Sequence, residues 1–185
     1  ESRKAVIQIF SGKDIKKSHK DVPCTCTLQF MVRDRKLHLF TCMRSNDMYR
    51  GLPHDIFSFT MIQEIVARRL GFDLGVYTHY VTSMHLYECD IEAARRFIRE
   101  GWQDSEEMPA MPTTNIKTNI RNLIRFERDV RHGKKVGIVN YFESPYWSDI
   151  GRLLQFFWHS NNQNNSSELS KIKSSLQYVI YNHYL

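Results

Sequence analysis

A chain of 185 residues, 42% hydrophobic and 25% charged, is long enough to bury a core and has the balance of a globular domain, one or one with a small addition. It holds no run of about 18 apolar residues, which excludes a membrane-crossing helix, and it opens without the charged-then-apolar pattern of a secretory leader. A net charge of +6 points to anionic partners without choosing among nucleic acid, nucleotide phosphate and acidic protein.

In chain order, residues 5–10 read as a strand, and the polar, lysine-rich residues 11–23 as a loop. From Cys24 to Val32 β-formers dominate. Arg33-Asp34-Arg35-Lys36 is a charged turn, and residues 37–43 alternate as the second strand of a hairpin. Residues 44–53 form a loop with Gly51 and Pro53. Asp55 then stands where an N-cap would, before a helix over Ile56–Leu70 with Gly71 at its C-terminus. Residues 76–86 read as a strand and Asp90–Glu100 as a helix closed by Gly101. Met108-Pro109-Ala110-Met111-Pro112 is a stiff extended segment. Helices are predicted over Asn115–Val130, Ser148–His159 and Leu169–Tyr184, with a polar link at Ser160–Ser167. The layout is therefore mixed α and β over residues 1–113, then mostly helical over 114–185.

The four cysteines, Cys24, Cys26, Cys42 and Cys89, are not spaced as a disulfide framework, and the eight histidines do not fall at zinc-ligand spacing. This predicts free thiols in a reducing, cytoplasmic setting and no metal. Basic residues in helix 115–130 lack the interleaved aromatics of a nucleic-acid surface, so nucleic acid is not the expected partner.

Residues with chemical potential concentrate between Val22 and Tyr87. A cysteine attacks as thiolate and needs a cation nearby. The hairpin returns Arg44 beside Cys24. Arg44-Ser45 at a strand end suits a phosphate, a guanidinium fork plus a hydroxyl. His85 and Tyr87, two apart, share a face and suit a ligand hydroxyl. Taken singly each also reads as structure: a small buried thiol, a surface arginine, a helix cap, a core aromatic pair.

Together and in order, Pro23-Cys24, Gln29, Met43-Arg44-Ser45-Asn46-Asp47, Gly51-Leu52-Pro53-His54-Asp55 and His85-Leu86-Tyr87 resemble the thymidylate synthase superfamily. Cys24-Thr25-Cys26-Thr27-Leu28-Gln29-Phe30 with Arg33–Lys36 is most similar to its deoxycytidylate hydroxymethylase branch. Ser2-Arg3-Lys4 resembles the family's Ser-Arg-Arg, with Lys4 keeping the charge but not the fork. The resemblance spans residues 2 to about 102, and the family's N-terminal portion, with a catalytic glutamate, has no counterpart here.

The resemblance implies one-carbon transfer from 5,10-methylenetetrahydrofolate to C5 of a pyrimidine nucleoside monophosphate. Cys24 would be the nucleophile, Arg44, Asp47 and Asp55 its catalytic companions, and Arg3, Lys4, Gln29, Ser45, Asn46, His85 and Tyr87 the remaining substrate ligands. It also implies an α+β fold, a mixed sheet with flanking helices, and a homodimer in which Arg3 and Lys4 reach the partner's phosphate site. Asp55 stands where relatives acting on deoxyuridylate carry asparagine. A carboxylate accepts from the N4 amino group of cytosine but opposes O4 of uracil. Cytidylate hydroxymethylation is therefore the expected activity, and the absence of the family's closing C-terminal tail agrees with water as the final nucleophile. Deoxyuridylate methylation and a non-catalytic nucleotide-binding domain are the alternatives.

Overall fold

The computed structural model describes residues 2–16, 21–101, 105–162, 166–183 and 185. The expected lysine-rich loop and the polar link reach residues 17–20 and 163–165, which lie outside that set. The chain falls into two compact units, residues 1–103 and 104–185.

The first unit is built on the alternation of its hairpin. Strands β1 (Val6–Gln8), β2 (Thr25–Arg33) and β3 (Lys36–Met43) are antiparallel neighbours, and β2 meets β3 at a two-residue turn, Asp34-Arg35. Both turn residues have positive φ, +48° and +60°, the primed geometry that matches strand twist. A short strand, β4 (Asn46–Asp47), precedes helix α1 (Gly51–Leu70), which crosses back to lay β5 (Asp73–Val81) parallel to β3. The sheet order is β1-β2-β3-β5, a mixed sheet in an α+β unit as the sequence implies. Strand β6 (Met84–His85) pairs only with β4. A 3₁₀ turn, Glu88–Asp90, leads into α2 (Ile91–Glu100).

Leu37, Leu39, Thr41 and Met43 of β3 are buried, and Phe59 of α1 packs with Leu28, Leu39, Met43, Phe30, Tyr77 and Val81. The other sheet face carries Val6, Phe40, Val76 and Tyr80, all exposed. On α1 the residues turned to the sheet recur every four: Phe59, Gln63 and Ala67 are buried. Gln63 donates to the carbonyls of Leu37 (2.8 Å) and Gly75 (3.1 Å), filling the register shift between β3 and β5.

Three expectations are corrected in this unit. The first strand is three residues, not six, and α1 begins at Gly51 rather than after a cap at Asp55. Pro53 is tolerated because the first helical turn needs no N–H there. The predicted strand 76–86 is two strands, broken after Val81 so that Met84–His85 can pair with Asn46–Asp47.

The second unit packs α3 (Ile116–Arg131), α4 (Pro145–Asn162) and α5 (Ser166–Ser175) around Phe126, Tyr146, Trp147 and Phe142. Pro145 starts α4, three residues before the predicted start, where proline's missing N–H costs nothing. The last predicted helix, Leu169–Tyr184, ends instead at Ser175 and is followed by a 3₁₀ turn, Val179–His183. The cause is Asp149, fully buried on α4. Its Oδ2 accepts from the backbone N–H groups of Gln177 and Tyr178, each at 2.9 Å, and its Oδ1 accepts from Arg152 at 2.7 Å.

Replacing Asp149 by Ala strands two part-buried backbone N–H groups and a largely buried guanidinium. The expected loss is about 3–5 kcal/mol of stability, read as a lowered urea midpoint by tryptophan fluorescence. An unchanged midpoint would refute this account of the chain turn.

Candidate active site

The site grows from the way the chain reaches and leaves α1. Arg44 ends β3. Its backbone N–H donates to Cys24 O at 2.9 Å, while its guanidinium donates from Nε to Pro23 O and from Nη2 to Val22 O, each at 3.0 Å. The predicted return of Arg44 beside Cys24 is therefore present, and Arg44 also grips the segment that delivers Cys24. Cys24 is exposed at the mouth of the hairpin, just before the bulge between Thr25 and Thr27. Cys26 and Cys42 lie together across β2 and β3. Burial and the neighbouring Cys26 push the Cys42 thiol up, which keeps it protonated and unreactive. All four cysteines are free.

Asp47, not Asp55, holds the start of α1, whose N-cap residue Arg50 makes no side-chain cap bond. Its Oδ2 accepts from the N–H groups of Arg50 (2.7 Å) and Gly51 (2.9 Å), and its Oδ1 from Tyr49 (3.3 Å). Burial pushes this carboxyl up, but the three backbone donors and the nearby His85 outweigh it and hold it below its ordinary value. The β4–β6 pair sets Asp47 opposite His85, closed by Met48 N–H on His85 O at 2.8 Å. His85 Nδ1 lies 3.4 Å from Ser45 Oγ, and its ring meets Tyr87 edge-on at 4.9 Å. Arg50 pairs with the buried Asp90 (Nε to Oδ1, 3.0 Å), tying the start of α1 to the turn after Tyr87.

Asp55 lies one turn inside α1 and heads the stripe Asp55–Phe59–Gln63–Ala67 that faces the sheet. It acts electrostatically on both Tyr77 and His79 of β5. Phe59, four residues on, has its ring 6.4 Å from that of His79. Asn46, buried, donates from Nδ2 to His79 Nε2 at 3.1 Å and to Met43 Sδ at 3.4 Å. Its Oδ1 would lie 2.6 Å from a Cβ at position 51, so only glycine starts the helix there.

Two neighbourhoods thus form, Ser45–Asp47–His85–Tyr87 and Asn46–Asp55–Tyr77–His79, with Arg44 and Cys24 at the adjoining strand ends. Arg3, Lys4 and Gln29 are not among them. Gln29 shares a face with Phe40, away from α1, and its amide donates to Arg3 O at 3.2 Å. Sequence reasoning missed Tyr77 and His79. The alternation Tyr77-Thr78-His79-Tyr80-Val81 was the available signal, since it puts both on the helix-facing side with Val81. Among the described residues, no three or more His, Cys, Asp and Glu gather as metal ligands, and no helix is long and apolar enough to cross a membrane.

The family model described as "Thymidylate synthase" matches residues 1–148. The chain is 28% identical over 144 residues to a thymidylate synthase of Symbiobacterium thermophilum, covering 78% of this chain and 47% of that protein. It is similar to the solved thermostable thymidylate synthase A from Bacillus subtilis, with TM-score 0.50 and 28% identity over 57% of this chain and 37% of that one. The chain therefore spans about half the length of the curated relative it matches.

The depressed Asp47 carboxyl has a consequence for folding. A carboxyl whose folded pKa lies below its unfolded value stabilises the fold above the unfolded pKa and loses that contribution as pH falls through the folded one. In urea titrations from about pH 5 downward, spanning the ordinary aspartate pKa, the wild type should lose more stability than Asp47→Asn, starting from a higher value. Parallel pH profiles would overturn the assignment.

Proposed function

The chain belongs to the thymidylate synthase family, and we propose that it carries one-carbon transfer from 5,10-methylenetetrahydrofolate to C5 of a pyrimidine nucleoside monophosphate, with a cytidylate as substrate and the 5-hydroxymethyl nucleotide as product. The observation that carries the choice of base is the position of Asp55. Asp47 supplies the helix cap, so Asp55 is not spent on it and heads the sheet-facing stripe of α1 beside Tyr77 and His79. A carboxylate there accepts from the cytosine N4 amino group. Facing uracil O4, it would oppose two acceptors at a cost of about 1–3 kcal/mol.

In this reading Cys24 Sγ bonds to C6 of the base, and the electron pair of the C5–C6 double bond moves to C5. Arg44 keeps Cys24 in place through Val22 and Pro23 and offers the nucleotide phosphate its remaining Nη1 donors. Ser45 stands beside it. His85 and Tyr87, packed edge to face, present their polar atoms to the sugar 3′-hydroxyl. The folate, when bound, supplies the one-carbon unit. Asp47 suits its pterin because Oδ1 is engaged only by the long Tyr49 bond and keeps a lone pair for an N–H. The exposed face bearing Val6, Phe40, Val76 and Tyr80, with Arg3 tied to it by Gln29, supports a homodimer in which Arg3 and Lys4 serve the partner's phosphate. The free thiols are consistent with the cytoplasmic location this reading expects.

A second reading, methylation of deoxyuridylate, is favoured by the names of the relatives, both thymidylate synthases.

The test is tritium release from [5-³H]dCMP, [5-³H]CMP and [5-³H]dUMP with methylenetetrahydrofolate. Release from a cytidylate is expected, abolished in Cys24→Ala, with product mass showing the hydroxymethyl group. Asp55→Asn should lower the cytidylate-to-uridylate ratio by tenfold or more, on the order of the cost above. Release from dUMP alone would make the second reading correct. Nucleotide binding without release would leave a non-catalytic nucleotide-binding domain.

A further inference from the structure

His79 is half-buried, carries two side-chain hydrogen bonds, and stands beside the carboxyl to which the reading above assigns base selection. Asn46 Nδ2 has only protons to offer, so His79 Nε2 must accept that 3.1 Å bond with its lone pair. An imidazolium has no lone pair and cannot. The ring's single proton then sits on Nδ1 and is donated to Tyr77 Oη at 2.6 Å. Burial lowers the His79 pKa, and Asp55 opposes this only in part. Asn46 is itself immobile: it is buried, its Nδ2 also contacts Met43 Sδ, and its Oδ1 is backed against Gly51. Phe59 packs on the ring from α1. The tautomer is thus set by fixed partners on β4, β5 and α1.

This has a direct consequence for Asp55. A cationic histidine beside an aspartate forms an ion pair and takes up its lone pairs. A neutral one, its own proton committed to Tyr77, leaves the carboxyl to the incoming base. We propose that His79, locked as the neutral Nδ1–H tautomer between Asn46 and Tyr77, is a specificity-determining positioning residue that keeps Asp55 available to the 4-substituent of the pyrimidine. The proposal rests on the reading of Asp55 as the base-reading residue, and it concerns a residue that does not itself touch the reacting atoms.

Two measurements on the full chain separate the proposal from that premise. Long-range ¹H–¹⁵N spectra of the nucleotide-free protein at neutral pH should show His79 with a protonated Nδ1 and a bare Nε2. The opposite tautomer, or an imidazolium, overturns the proposal whatever the base preference. Dissociation constants for dCMP and dUMP give the second readout. The wild type should prefer dCMP, and His79→Lys, which sets a cation beside Asp55, should cut the ratio about tenfold, the worth of one good hydrogen bond. His79→Gln should stay within about threefold of wild type, because its amide oxygen can accept from Asn46 and its N–H can reach Tyr77. Tyr77→Phe, which keeps the strand's apolar packing and releases the Nδ1 proton from its acceptor, carries a loss in the same direction if His79→Lys does not fold. No dCMP preference in the wild type would overturn the Asp55 premise. A clear wild-type preference that survives in the Lys variant would overturn the role of His79 alone.

Discussion

The Asp47 carboxylate decides where helix α1 begins, and much of the first unit follows from that choice. Three backbone N–H groups converge on it, satisfying donors that a helix start leaves orphaned. With the start fixed at Gly51, the helical phase is fixed too. Phe59, Gln63 and Ala67 face the sheet, and Asp55, one turn ahead of them, faces the same way at the helix's open end. Had the helix begun after Asp55, as its sequence position suggests, that side chain would lie outside the helix with its oxygens turned to the first N–H groups. The difference between a cap and a sheet-facing carboxyl is a matter of four residues of register.

Polar groups in this unit hold backbone first and face ligands second. Arg44 spends two of its donor atoms on Val22 and Pro23 before any phosphate arrives. Asp47 spends most of its accepting capacity on α1. Asn46 is committed to His79 and wedged against Gly51. Each is thereby held to one orientation, and a side chain already fixed loses little freedom when a ligand binds. Arg50 with Asp90 does the same for the turn after Tyr87, at the cost of a buried carboxylate that its partner offsets.

The hairpin, the crossover and the order of the site residues were legible in the sequence because each rests on local chemistry. Alternation over 24–43 sets the strands, Gly71 the helix end at φ +72°, and the residues from Cys24 to Tyr87 keep their order along the chain. What was not legible depends on partners distant in sequence or on elements too short to leave a pattern. Strands β4 and β6 have two residues each, yet they put Asp47 opposite His85. Asp47 lies four residues ahead of the first helical residue, and an N-cap search stops at the nearest acid before the apolar run, which is Asp55. The break after Ser175 is made by Asp149, more than 25 residues earlier. His79 reads as one more ring in an aromatic strand until Asn46 is found against it.

The network around His79 bears on why a carboxyl at position 55 can coexist with a histidine on the facing strand. Of the two, the histidine has the tighter surroundings: fixed hydrogen bonds on both ring nitrogens, from Asn46 and to Tyr77, and Phe59 against its ring. Converting it to the cation would break the Asn46 bond and desolvate a charge in the same act, and each of these costs on the order of 1–3 kcal/mol. The attraction of Asp55 would have to exceed that sum. Burial lowers the His79 pKa, and Asp55 opposes that only in part. The strand therefore presents Asp55 with a polar but uncharged surface. In the proposed reading such a surface leaves the carboxyl to a donor from the ligand, which an amino group would supply and a carbonyl would not.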